Sequence, residues 1–101
     1  MLEDQDPMGL WRNELYRLHV KRKGCLVCRY VADAHHLQRV PGARGSGMGQ
    51  KPGDQWCVPL CRPCHDEAHR TGDENVFWAV KGVDPITWAK TTFKEWADEN
   101  L

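Results

Sequence analysis

No run of apolar residues in this chain approaches the roughly 20 needed to cross a bilayer, so no helical membrane span is expected. The amino end, Met-Leu-Glu-Asp-Gln-Asp-Pro, carries acid where a secretory leader would carry base, which points to a reducing, cytoplasmic setting. Net charge is also absent, with 14 basic residues against 14 acidic ones. At 101 residues the chain has too little length to be comfortably stable on an apolar core alone. It is expected to be a single domain, 1–101, that needs a staple, and no internal repeat appears beyond a doubled Cys-x-x-Cys.

The five cysteines offer that staple. In a reducing cell, paired Cys-x-x-Cys units are better read as zinc ligands than as disulfides. Cys25, Cys28, Cys61 and Cys64 are therefore assigned to one structural Zn2+, held through thiolates at about 2.3 Å. Cys57 is left over and reads as a small buried hydrophobe. A shared zinc has a positional consequence, because Cys28 lies shortly before His35-His36 and Cys64 immediately precedes His65. The clamp would draw two histidine clusters together, the second being His65-x-x-x-His69.

Residues four apart share a helix face, so His65 and His69 can hold one ion together. With His35 they form a three-imidazole set that leaves positions open for water and a phosphate oxygen, as a catalytic site requires. Adjacent strand residues point to opposite sides, so His36 is expected to be free of the ion and to act as a general base. His19 belongs to neither cluster and reads as a surface residue. All-imidazole ligation suits Mn2+, Ni2+, Co2+ or Zn2+ better than Mg2+.

The zero net charge hides an asymmetry: residues 12–51 are net +7, balanced by −3 before them and −4 after them. One basic face on a neutral protein is what a phosphate backbone attracts, although a solvated basic helix would look the same. Candidates for backbone contact are Arg17, Lys21, Arg22, Lys23, Arg39, Arg44 and Lys51.

An amphipathic helix is expected over Leu10–Lys23, with Leu10, Trp11, Leu15, Leu18 and Val20 as its apolar stripe and Gly24 as its stop. Arg29–Ala32 has strand-like composition and leads to His35-His36. Leu37–Gly53 carries Pro41, Pro52 and five glycines and reads as a mobile basic loop. Gln55–Leu60 should be a second strand, with Trp56, Val58 and Leu60 on one face and Pro59 marking an edge or strand end. Residues 62–70 follow as a helix with Pro63 in its first turn and Gly72 at its end. Glu74–Lys81 is a short helix stopped by Gly82. Asp84-Pro85 caps a last helix through about Asp98 with the stripe Trp88, Ala89, Thr92, Phe93 and Trp96. Residues 1–8 are expected to be disordered.

The segment Cys25–His69 resembles the HNH nucleases of the ββα-metal fold, of phage and prophage type with zinc knuckles. The residues that carry the resemblance are Ala34-His35-His36-Leu37, then Asp54-Gln55-Trp56-Cys57-Val58-Pro59-Leu60-Cys61-Arg62-Pro63-Cys64-His65, and His69. The resemblance implies an α+β fold with a ββα-metal core at 25–70, an amino-terminal basic helix and a helical extension at 74–99. It further implies an endonuclease, a hydrolase of phosphodiester bonds that nicks or cuts DNA with low sequence specificity. By position, His36 matches the family's base and His35, His65 and His69 its metal ligands. The family's middle Asn falls on Trp56, and Asp54 is the candidate that orients His36 in its place. The expected partners are DNA and a phage or recombination protein, in a bacterial or phage-infected cell, the chain acting as a monomer or a dimer. Two other classes compete. One is a non-catalytic, zinc-stabilised DNA-binding or adaptor module; the other is a structural partner docking through its aromatic carboxy-terminal helices, though such stripes are more often core.

Overall fold

The computed structural model describes residues 8–45 and 50–101, so most of the expected disordered leader and part of the glycine-rich loop lie outside the described residues. The element order is α1 (Glu14–Lys21), β1 (Asp33–His36), a 3₁₀ turn (Asp54–Trp56), β2 (Cys57–Leu60), α2 (Arg62–Thr71), α3 (Glu74–Lys81) and α4 (Pro85–Asn100). The fold is α+β. No described helix is long and apolar enough to cross a membrane.

The two strands pair antiparallel, with Asp33 opposite Leu60, Ala34 opposite Pro59, His35 opposite Val58 and His36 opposite Cys57. Every residue of β2 is buried, because it is covered on both sides. Trp56, Val58 and Leu60 enter a core shared with Leu37, Ala68, Phe77, Trp78 and Ala89. Cys57 faces the other way, into a cluster with Tyr16 and Val20, flanked by Trp11, Phe93 and Trp96. The alternation expected for this strand is present, but Asp54–Trp56 is a tight turn and not its beginning. Pro59 sits within β2 without breaking it: its carbonyl accepts the Leu26 N–H at 3.0 Å and so seats the first Cys-x-x-Cys against the strand.

Helix α1 is shorter than its periodicity suggested. Asn13 caps it, its side chain accepting the Tyr16 N–H at 2.8 Å. Leu10 and Trp11 therefore precede the helix, and the buried pair is Tyr16 and Val20, at i, i+4 spacing. Leu15 is 71% exposed and Leu18 is also exposed, so two of the expected stripe residues face solvent. The cause is aromatic packing: Tyr16 stacks edge-on against Trp96 and Phe93, with centroids 5.1 and 5.6 Å away, and a ring of that size fixes which face turns inward.

Strand β1 also starts later than its composition suggested, since Val31 is 93% exposed and Tyr30 is exposed beside it. Arg29 adopts a left-handed φ of 71° as the knuckle turns back, its N–H reaching the Cys25 carbonyl while the Cys25 N–H reaches the Tyr30 carbonyl. That turn overrides the strand preference of the residues after it.

The last three helices follow their end signals. Gly72 closes α2 at φ 85° and Gly82 closes α3 at φ 70°. Asp73 accepts the Asn75 N–H, and Asp84 accepts the Thr87 N–H ahead of Pro85. The α4 stripe packs as expected: Ala89 and Thr92 are buried, and Trp88, Phe93 and Trp96 lie partly buried against the core clusters.

Candidate functional site

Three groups of side chains surround the β1–β2 hairpin. The first is the cysteine cluster. Cys25, Cys28, Cys61 and Cys64 bring their sulfurs within 4.8 Å of one another, and Cys28 and Cys61 lie 3.3 Å apart. No disulfide joins them. A tetrahedral thiolate site with 2.3 Å bonds needs sulfur–sulfur edges of about 3.8 Å, which this spacing meets after small adjustments. The four cysteines thus fit a structural metal site. Burial alone would raise the Cys25 thiol, but backbone N–H groups around it, including that of Val27, outweigh burial and bring it down to about 6. One chain segment and one helix supply the ligands, and that helix is α2, for which Cys61 is the N-cap.

The second group follows from that. With Cys61 and Cys64 at its first turn, α2 carries His65 and His69 over a small hollow of about 40 Å³ lined by His35, Gln38, His65, Ala68, His69, Gly72 and Glu74. His65 Nε2 and His69 Nε2 stand 3.2 Å apart, and the His35 and His65 ring centroids are separated by 5.2 Å. Burial, then the neighbouring His35 and His69 imidazoles, hold His65 below its ordinary value, so its ring is neutral near pH 7 and available as a ligand. Sequence reasoning did not find Glu74. Its carboxylate is only 6% exposed, with Oε1 2.5 Å from His35 Nε2 and Oε2 accepting the Gln38 N–H at 3.0 Å. Burial would raise Glu74, but His35 and the Gln38 N–H outweigh it and keep the group ionised. As the first helical residue after the Asp73 cap it looks like an ordinary acid at a helix start, and nothing in the sequence marks its inward aim.

The third group lies on the opposite face of β1. His36 does not line that hollow; its Nε2 meets Asp54 Oδ1 at 2.7 Å. The four imidazoles expected to converge therefore divide: three line one hollow, without their ring nitrogens all coming within 4.8 Å of one another, and the fourth faces away. Asp54 is fully buried, and its other oxygen accepts the Asn13 N–H at 2.7 Å and the Arg17 guanidinium, while Arg12 stands 3.7 Å away. Burial would raise this carboxyl, but the Asn13 N–H, His36 and Arg17 together hold it low. A carboxylate only accepts, so His36 donates from Nε2 and keeps the Nδ1 lone pair. Burial, opposed by Asp54, lowers the His36 pKa and leaves the ring neutral near pH 7.

Asp54 thus contacts the residue it was expected to orient. Arg17, expected on the DNA backbone, is paired with Asp54 and forms part of this brace. His36, Asp54 and Cys57 also come within 4.8 Å of one another, but they make a poor metal site. Burial pushes the Cys57 thiol up to about 12, keeping it protonated, and Arg17 and Asn13 already occupy the carboxylate. Lys21, Arg22 and Lys23 line a separate surface hollow with Arg29, Tyr30 and Val31, and Arg39 lies in a third, beside Trp78 and Ile86.

Residues 7–97 match the family described as Protein of unknown function (DUF968). This chain belongs to that family. A 60-residue stretch, 58% of the chain, is 42% identical to the uncharacterized protein YdfU of Escherichia coli strain K12 and covers 16% of that protein's length. The chain thus corresponds to a small part of that relative. No solved structure matches it.

Proposed function

We propose that this chain is a metal-dependent DNA endonuclease of HNH type that hydrolyses phosphodiester bonds with little sequence preference. The observation that carries the reading is the gathering of His35, His65 and His69 around one open hollow, on a helix whose first turn also supplies two of four clustered cysteines. A structural site closes on its ligands, whereas a site for chemistry stays accessible to water and substrate.

In this reading, Cys25, Cys28, Cys61 and Cys64 hold a structural zinc, and His35, His65 and His69 hold a catalytic divalent ion. That ion would supply charge stabilisation for the phosphate and the departing oxygen. His36 accepts a proton from the attacking water on Nδ1, while Asp54 fixes the ring through Nε2 and favours the protonated form that results. Water attacks phosphorus in line and leaves 5′-phosphate and 3′-hydroxyl ends. Because His35 and His36 face opposite ways at the end of β1, the scissile phosphate must straddle the strand end, where the His36 side chain remains 15% exposed. Lys21, Arg22, Lys23, Arg39, Arg44 and Lys51 hold the backbone without reading bases, so binding weakens as salt rises.

A second reading is a non-catalytic zinc-stabilised DNA-binding or adaptor module, favoured by the depth of Asp54: a fully buried carboxylate tied to Arg17 and Asn13 is how a purely structural brace looks. Plasmid nicking after chelation of the open site and re-addition of single ions separates the two. The nuclease reading expects Mn2+ or Ni2+ to support at least as much nicking as Mg2+. A strict requirement for Mg2+ contradicts the three-histidine assignment, and no nicking with any ion favours the adaptor.

A further inference from the structure

We propose that Glu74 is a fourth protein ligand of the open site, converting a three-imidazole centre into one of three imidazoles and a carboxylate. This rests on the reading of His35, His65 and His69 as metal ligands. Three observations support it. Glu74 shares the hollow with the rings, lining the same cavity as His35, His65 and His69. Its Oε1 is hydrogen-bonded to His35 Nε2 at 2.5 Å, closer than the roughly 3 Å that separates two ligand atoms on one ion, so a cation would replace the shared proton and part the two atoms. Its charge is nearly buried among the His35 imidazole, the Gln38 backbone N–H and the Trp78 indole, and no lysine or arginine is paired to it among the described residues. Across the hollow, His65 Nε2 and His69 Nε2 meet at 3.2 Å, close to the roughly 3.4 Å edge of a tetrahedral ion with 2.1 Å bonds. Two imidazole nitrogens that close either share one proton or accept one cation, and a cation also answers the buried carboxylate.

The alternative role is a carboxylate that stands behind His35 and only orients it, as supporting groups do around metal-binding histidines. The two roles differ in the chemistry of the site. An oxygen ligand adds affinity for harder ions such as Mn2+ and less for Ni2+, and it occupies a position that water would otherwise fill. An orienting carboxylate acts on every ion through the same imidazole.

The test is metal binding to the zinc-replete protein, read without reference to cleavage. Mn2+ and Ni2+ are titrated by calorimetry into the unaltered chain, Glu74→Gln and His69→Ala, and water-proton relaxivity counts the exchangeable waters on bound Mn2+. Glu74→Gln keeps the shape of the side chain and an acceptor for the Gln38 N–H, and circular dichroism confirms that its helices are intact. We expect this variant to lose at least about thirty-fold in Mn2+ affinity but no more than about three-fold in Ni2+ affinity, and to gain one water on Mn2+. Equal losses for both ions with an unchanged water count would overturn the proposal and leave Glu74 as an orienting group. His69→Ala guards the premise: it should weaken both ions. If it binds them as the unaltered chain does, the imidazole site itself is wrong, which is a different failure.

Discussion

His35 and His36 are consecutive, chemically identical, and placed in opposite worlds. His35 turns toward α2 and α3, into an open hollow with two more imidazoles and a carboxylate. His36 turns toward α1, onto a buried aspartate clasped by an arginine and a helix-capping backbone N–H. The pleat of one strand is the whole cause, since successive side chains leave opposite faces. The comparison teaches that one histidine pair can occupy two environments, one ring facing an open hollow and the other held neutral by burial and aimed by a carboxylate.

The largest expected effect breaks the hollow side. Cys64→Ala removes, from the first turn of α2, one of the four clustered thiols proposed to hold the zinc that positions His65 and His69. Because structural zinc supplies folding free energy directly, this variant should lose its cooperative thermal transition. A sharp transition near that of the unaltered chain, followed by circular dichroism, would show that the fold does not need the ion.

The next effect breaks the brace side. Asp54→Ala leaves Arg17 and His36 without their partner, and should lower stability by about 3 kcal/mol in urea unfolding, at the low end for a buried pair because Arg17 is partly exposed. Acid should act through the same group. The folded pKa of Asp54 is depressed, so its contribution is fully present above the unfolded value of about 3.9 and disappears as pH falls through the lower folded value. Asp54→Asn should therefore lose less stability on going from pH 6 to pH 3 than the unaltered chain.

A smaller effect sharpens the account of how α1 meets the brace. Val20→Ala should cost about 2 kcal/mol, because Val20 is fully buried beside Cys57, whereas Leu15→Ala, on the exposed face, should stay within about 0.5 kcal/mol. A reversal of the two in denaturant melts would return α1 to the orientation its leucines suggested.

What could be read in advance follows from which signals are local. The caps and stops at Gly72, Gly82 and Asp84-Pro85 act within a turn, and α2, α3 and α4 begin and end close to where they indicate. The four cysteines were legible because metal ligation fixes spacing. The inward face of α1 was not: Leu15 and Leu18 are as apolar as the buried residues, and only the distant Phe93 and Trp96 select Tyr16. The start of β1 was hidden by the knuckle, whose left-handed Arg29 sends Tyr30 and Val31 into solvent. The role of Asp54 was visible as a possibility, whereas that of Glu74 depends on how α3 packs against α2, which a sequence does not state.

The most direct test is a paired measurement on His36→Ala: Mn2+ bound at the open site, and plasmid nicking in the same buffer. The account predicts full Mn2+ binding with nicking reduced by about 10²- to 10⁴-fold, since His36 lies outside the hollow and acts on the proton alone. Nicking at the unaltered rate, or loss of the bound Mn2+, would contradict the division of labour between the two faces of β1.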